Sequence, residues 1–211
     1  MKPHYRSIVS ALVLCSVTSH AFGADAAKDK TIDAFTVLDP KSTKANSLVA
    51  KIVATQDPVH RKALSISIDF AVPGTMPNFQ KTFPAGLIDS NKYSGIRFFA
   101  KTDVETKFSV WLSADGKPGD TRHADGSPVT FATGCSPAST WSEVILPFEK
   151  FGSIPLKEWK NGEQKIYPAG LPIPPDDYAK LNRLMFAFSI NQRGTSTVGQ
   201  VMIKDVALIA K

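Results

Sequence analysis

The chain alternates. Over residues 63–72, Leu64, Ile66, Ile68 and Phe70 fall on one face and Ser65, Ser67 and Asp69 on the other, the period of a half-buried strand. Residues 95–101 repeat the pattern, with Ile96, Phe98 and Ala100 against Arg97, Phe99 and Lys101. Residues 107–113 put Phe108, Val110 and Leu112 inward and Lys107, Ser109, Trp111 and Ser113 outward. Residues 141–148 align Val144, Leu146 and Phe148, and residues 184–190 align Leu184, Phe186, Phe188 and Ile190. Residues 46–55 and the strongly apolar 201–210 read as further strands. Turn chemistry separates these runs: Val72-Pro73-Gly74, residues 114–119, residues 124–128 and residues 191–194. Only residues 175–181, behind two prolines, read as a short helical turn. Many short strands with Gly and Pro between them predict an all-β sandwich or barrel. No internal repeat or linker divides it.

One stretch breaks the rhythm. Residues 152–180 carry five prolines together with Trp159, Tyr167 and Tyr178. Loops beyond ~12–15 residues are uncommon and are functional or disordered. The three rings argue for a segment folded back on one end of the sandwich, either to pack or to meet a ligand.

The N-terminus is of another kind. Lys2 and Arg6 precede a short apolar run over residues 7–18, and Ala21-Phe22-Gly23 supplies small residues for a signal-peptidase site. Residues 1–23 are expected to be a signal peptide, and 24–211 a single exported β-sandwich with a long irregular loop at 152–180. Leu14 before Cys15 does not fit a lipoprotein signal. Removing Lys2 and Arg6 lowers the net charge from +6 to +4, and the lysines form no cluster, so nucleic acid is not an expected partner. No later segment reaches the ~18 apolar residues of a membrane span. With 43% hydrophobic and 21% charged residues the chain is not of disordered composition. Cleavage leaves Cys135 as the one cysteine, so no internal disulfide is expected and the core must hold the fold.

Catalytic signals are thin. His60 and His123 are the histidines after residue 23, and no metalloprotease, nucleophile-elbow, phosphate-loop or Cys-x-x-Cys motif occurs. Cys135 and His123 lie near each other in sequence, but a lone cysteine is usually a small buried residue. No enzyme is expected.

Several segments together resemble a family. Residues 93–103 (YSGIRFFAKTD) are similar to the "YsGirFwaK-d" strand of jelly-roll, galactose-binding-like carbohydrate-binding modules, and of the related complex I intermediate-associated domain. Residues 141–151 (WSEVILPFEKF) resemble their "W-x-x-v-x-i-P-F-x-x-F" element. Residues 184–190 and 203–208 resemble their closing strand pair, and residues 32–35 (IDAF) their opening "lDDFe". The resemblance implies a jelly-roll β-sandwich of two antiparallel sheets. It also implies a face that holds a polysaccharide or oligosaccharide without transforming it, since a pyranose stacks its C–H face on an aromatic ring and needs polar partners around its edge.

Trp111 is the leading platform, because it leaves its strand among Ser109 and Ser113 while Phe108, Val110 and Leu112 form the core. Arg97 and Phe99 are expected alongside it, with Trp159 and Tyr167 of the 152–180 loop as the other candidates. A structural calcium is a trait of the family, and Asp33 and Asp205 match its acidic positions. Ala34 and Lys204 stand where further acids often occur, so the expectation is a chain without cofactor. A protein-interaction or assembly factor of the intermediate-associated type, and a hydrolase with an unrecognised site, are the alternatives.

Overall fold

In the computed structural model the described residues are 28–33, 43–45, 50–55, 63–69, 78–103, 108–116, 121–160, 162–188 and 198–211. They form two antiparallel sheets. Sheet one runs in the order β3 (Ala50–Thr55), β4 (Ala63–Asp69), β14 (Val198–Ala210), β6 (Tyr93–Thr102) and β9 (Ser142–Pro147), and β1 (Lys30–Asp33) also pairs with β14. Sheet two runs β10 (Gly152–Ser153), β8 (Thr130–Cys135), β7 (Phe108–Ser113), β13 (Arg183–Phe188), β5 (Asn78–Thr82) and β2 (Thr43–Ala45). A separate hairpin joins β11 (Leu156–Lys160) to β12 (Glu163–Tyr167).

The alternation in sequence becomes the inside and outside of the sandwich. In β6, Ile96, Phe98 and Ala100 are buried while Arg97, Phe99 and Lys101 are half-exposed. In β7, Phe108, Val110 and Leu112 are buried and Ser109 and Trp111 are half-exposed. Phe186 of β13 centres the core. Its ring lies 5.3 Å from Phe98, edge to face across the two sheets, 6.0 Å from Phe108 and 6.3 Å from Phe79. Such ring pairs add about 0.5–1.5 kcal/mol beyond their buried area. In β14 the register shifts between Lys204 and Ala207, and Asp205 takes φ 52°, the geometry of a bulge residue. The bulge keeps Ile203, Val206 and Leu208 inward on either side of it.

The structure departs from the sequence reading in several places, beginning with the short strands β1 and β2, which the alternation does not predict. Strands β5 and β8 were not expected. Each has one large buried apolar residue, Phe79 and Phe131, among polar and small neighbours, so neither shows an apolar run. The 152–180 stretch is not irregular: it holds β10, the β11–β12 hairpin and a 3-10 turn at Pro175–Lys180. Phe148 is not in the strand, because the chain turns into a 3-10 helix at Phe148–Lys150 directly after Pro147. The expected signal segment, residues 46–49, Phe70 and Ile190 lie outside the described residues.

Candidate functional site

The outer face of sheet two carries the candidate site. Across it, register sets Gly152, Ala132, Trp111, Met185 and Gln80 in one row on five neighbouring strands. Trp111 sits on β7, flanked along its strand by Ser109 and Ser113. Small Ala132 on one side and Met185 on the other leave the indole half-buried rather than covered. Its Nε1 is buried and has no hydrogen-bond partner among the described residues. A buried donor left unpaired costs about 1–3 kcal/mol.

Polar groups border the ring. Arg183 pairs in register with Ser113; its Nε donates to Ser113 Oγ at 2.8 Å, and its Nη1 stands 3.8 Å from Asp115. Farther out on the face, beyond Met185, Gln80 Nε2 donates to Asn78 Oδ1 at 2.9 Å. Beside Trp111, a depression of about 660 Å³ opens over Ser109, Ala132 and Gly134 and is closed at its edge by Gly152 and Gly170. Gly152 has no room for a side chain, since a Cβ there would lie 2.8 Å from the Gly170 Cα, and Gly170 takes φ 79°, which favours glycine. The contact holds the 168–172 segment against the rim of the sheet.

The sequence candidates divide among several places. Trp111 and Ser109 share this face. Arg97 and Phe99 do not, which corrects the expectation that they project alongside Trp111. Consecutive strands β6 and β7 belong to different sheets, so their outward residues point away from each other across the sandwich. Arg97 is engaged there, with Nε donating to Asp29 Oδ2 at 2.7 Å and Nη1 standing 3.5 Å from Glu143. The Lys204 ammonium lies 5.1 Å over the Phe99 ring and 5.3 Å over Trp141. Trp159 sits in β11 opposite Gln164 in register. Tyr167 ends β12, is buried, and lines a second, smaller cavity together with His123 and Asp125. Arg183, Met185 and Gln80 were missed. Met185 and Arg183 occupy the positions that alternate with Leu184 and Phe186, but only the register shows that they flank Trp111.

Asp33 lies opposite Val206 in the ladder, next to exposed Asp205. Asp205 Oδ2 is 3.6 Å from the Lys204 ammonium, a donor set ill suited to calcium, which takes ~6–8 oxygens. Among the described residues no three His, Cys, Asp or Glu side chains group as metal ligands. Cys135 ends β8, and burial pushes its thiol up to about 12, far from the thiolate a nucleophile needs. His123 lies beyond the other end of β8, 3.3 Å from Asp177. The two do not meet as nucleophile and base.

No family model matches the chain, and no curated protein does. Solved structures do. The family 11 carbohydrate-binding module of cellulosomal cellulase Lic26A-Cel5E of Clostridium thermocellum superposes with TM-score 0.54 at 16% identity, over 88% of this chain and 96% of that one. The family 11 module from the same organism, in complex with a β-1,3-1,4-mixed-linked tetrasaccharide, gives 0.52 at 14% identity, over 86% and 95%. A family 30 carbohydrate-binding module gives 0.56 at 11% identity, over 87% and 99%. At such identities the likeness is one of fold. The chain is an all-β jelly-roll sandwich of the architecture these modules share.

Proposed function

We propose that the chain binds a neutral oligosaccharide or polysaccharide on the outer face of sheet two, without transforming it. The observation that carries this is Trp111, an indole half open on the polar face of a central strand, beside a depression large enough for several sugar rings. Arg183 on the neighbouring strand and Gln80 one strand further offer hydrogen-bonding groups on the same face. The fold likeness supports the reading, because one of the similar modules is described with a bound mixed-linked tetrasaccharide. The inertness of Cys135 and the separation of His123 from it speak for binding over catalysis. The large exposed hydrophobics among the described residues, Ile145, Ile166 and Leu171, stand on separate elements and make no flat patch of the kind a protein partner needs.

A glycan array probed with the purified chain tests the reading. Binding of at least one neutral β-linked glycan, recovered uncleaved, is expected. Silence across the array, or cleavage of the captured glycan, contradicts it. We also propose that the chain is exported, on the strength of Lys2, Arg6 and the apolar run that follows them. No helix among the described residues is long and apolar enough to cross a membrane. The N-terminus of chain recovered outside the cytoplasm of its native host should begin near Ala24, and an intact Met1 there would contradict export by cleavage.

A further inference from the structure

The turn over residues 122–128 and the β11–β12 hairpin enclose a second cavity, of about 270 Å³, which the face around Trp111 does not include. Phe131 of β8 forms its floor, Tyr167, Leu171 and Pro174 its walls, and His123 and Asp125 its polar rim. One side-chain contact links the hairpin to the turn. Lys165 Nζ donates to the Asp125 carbonyl and lies 4.8 Å over the Tyr167 ring. Arg122 Nη1 donates to the Gly126 carbonyl at 2.6 Å. On the near side, Ser153, Ile154 and Pro172 line both this cavity and the depression beside Trp111, so the two share a border at β10.

The chemistry of the cavity suits one sugar ring. Its volume lies below the ~300–1,000 Å³ of drug-sized sites, which leaves room for a single ring and not a chain. The tyrosine, leucine and proline walls offer an apolar surface to a pyranose C–H face. The rim offers acceptors for hydroxyls. Ser127 donates to Asp125 Oδ1 from its hydroxyl at 2.6 Å and its backbone N–H at 2.8 Å, which holds the carboxyl below the usual range and ionised. His123 Nε2 faces buried Asp177 at 3.3 Å, and Asp177 is itself held by the Lys180 ammonium at 2.8 Å. The approach is not a hydrogen bond, since Asp177 Oδ2 is buried without a hydrogen-bond partner among the described residues.

We propose that this cavity is a chain-end subsite. It takes the terminal pyranose of a neutral oligosaccharide whose inner rings lie along the depression toward Trp111. The proposal rests on the glycan reading of that face and adds to it a preference for chain ends over chain interiors.

The test is NMR titration of the full chain with three neutral tetrasaccharides, mixed-linked β-1,3-1,4-glucosyl, cello- and agaro-, and with the corresponding polymers. The amides of Gly126 and Ser127 report the cavity; the Gly134 amide and the Trp111 Nε1–H report the face. With at least one tetrasaccharide, both sets of signals should shift. His123→Gln and Asp125→Asn, each with an otherwise unchanged spectrum, should weaken that tetrasaccharide roughly tenfold, the scale of one hydrogen bond to a charged group. Binding of the polymer, whose ends are rare, should change less than about twofold, a few tenths of a kcal/mol. Shifts at the face alone overturn the subsite and leave the face reading intact. Equal weakening of tetrasaccharide and polymer, or none in either variant, also overturns the subsite. Shifts at the cavity alone contradict the face and the continuity between the two. No shift with any of the sugars contradicts both.

Discussion

Phe186 shows how much of the molecule rests on single side chains. Its ring is fully buried and meets three other phenylalanine rings drawn from both sheets. Phe186→Ala should cost about 3–5 kcal/mol, the lost transfer energy plus a cavity that packed neighbours cannot fill. Denaturant unfolding measures it, and a loss below about 1 kcal/mol would mean that the ring is not the centre of the core. Cys135 gives the complementary case, a residue whose environment silences it. Its folded thiol, raised to about 12, stands above the ordinary ~8.5 of a free cysteine. The folded state therefore favours the protonated thiol. The associated stability is complete below the unfolded value and is lost as pH climbs from there toward the folded one. In a Cys15→Ser background, a disulfide reagent at pH 8 should label Cys135 slowly in the native protein and fast in denaturant. Equal rates would show an open thiolate.

Individual elements were legible in the sequence to the extent that they were amphipathic. Strands β4, β6, β7, β13 and β14 alternate or run apolar because each presents a full face to the core, and all were readable from periodicity. Strand β8 was not, because its outward residues Ala132 and Gly134, which line the depression, are small rather than polar and give no alternation. The hairpin β11–β12 was hidden for another reason. Ile166 of β12 is exposed, and its neighbours Gln164 and Lys165 are polar, so β12 shows no alternating buried face, only Tyr167 at its end.

The site was legible only in part, and the missing part is topological. Trp111 and Ser109 could be found from one strand, since an aromatic ring on a polar face stands out against its own neighbours. The partners of that ring could not, since they depend on which strands pair. Chain order suggested Arg97 and Phe99 from the preceding strand. The sandwich alternates sheets at that step, and the true neighbours come from β8 and β13, both of which follow β7 in the chain. Arg97 instead closes an ion pair with Asp29, whose carboxylate also accepts from the Ala210 N–H at 2.9 Å and so ties the first described strand's approach to the last strand. These contacts hold the Asp29 carboxyl below the ordinary range, through the Ala210 bond first and Arg97 second. Arg97 thus belongs to the closure of sheet one and not to the glycan face.

At the scale of the whole molecule the two sheets have different duties. Sheet one brings the first and last described strands together and sets Lys101 and Lys204 over the half-exposed Phe99 and Trp141 rings. Sheet two, held on the common core, turns a small-residue floor, an indole and a polar border outward. That division makes the central claim sharp, since it assigns binding to one outer face and denies it to the other. Isothermal titration of the best array glycan against wild type, Trp111→Ala and Arg97→Ala, with melting curves for all three, measures it directly. Trp111→Ala should lose at least about tenfold in affinity, the scale of one stacked ring, and should remain folded with a smaller loss of stability than Phe186→Ala. Arg97→Ala should bind as wild type does. Undiminished binding by Trp111→Ala, or a loss confined to Arg97→Ala, would place the glycan elsewhere and contradict the account.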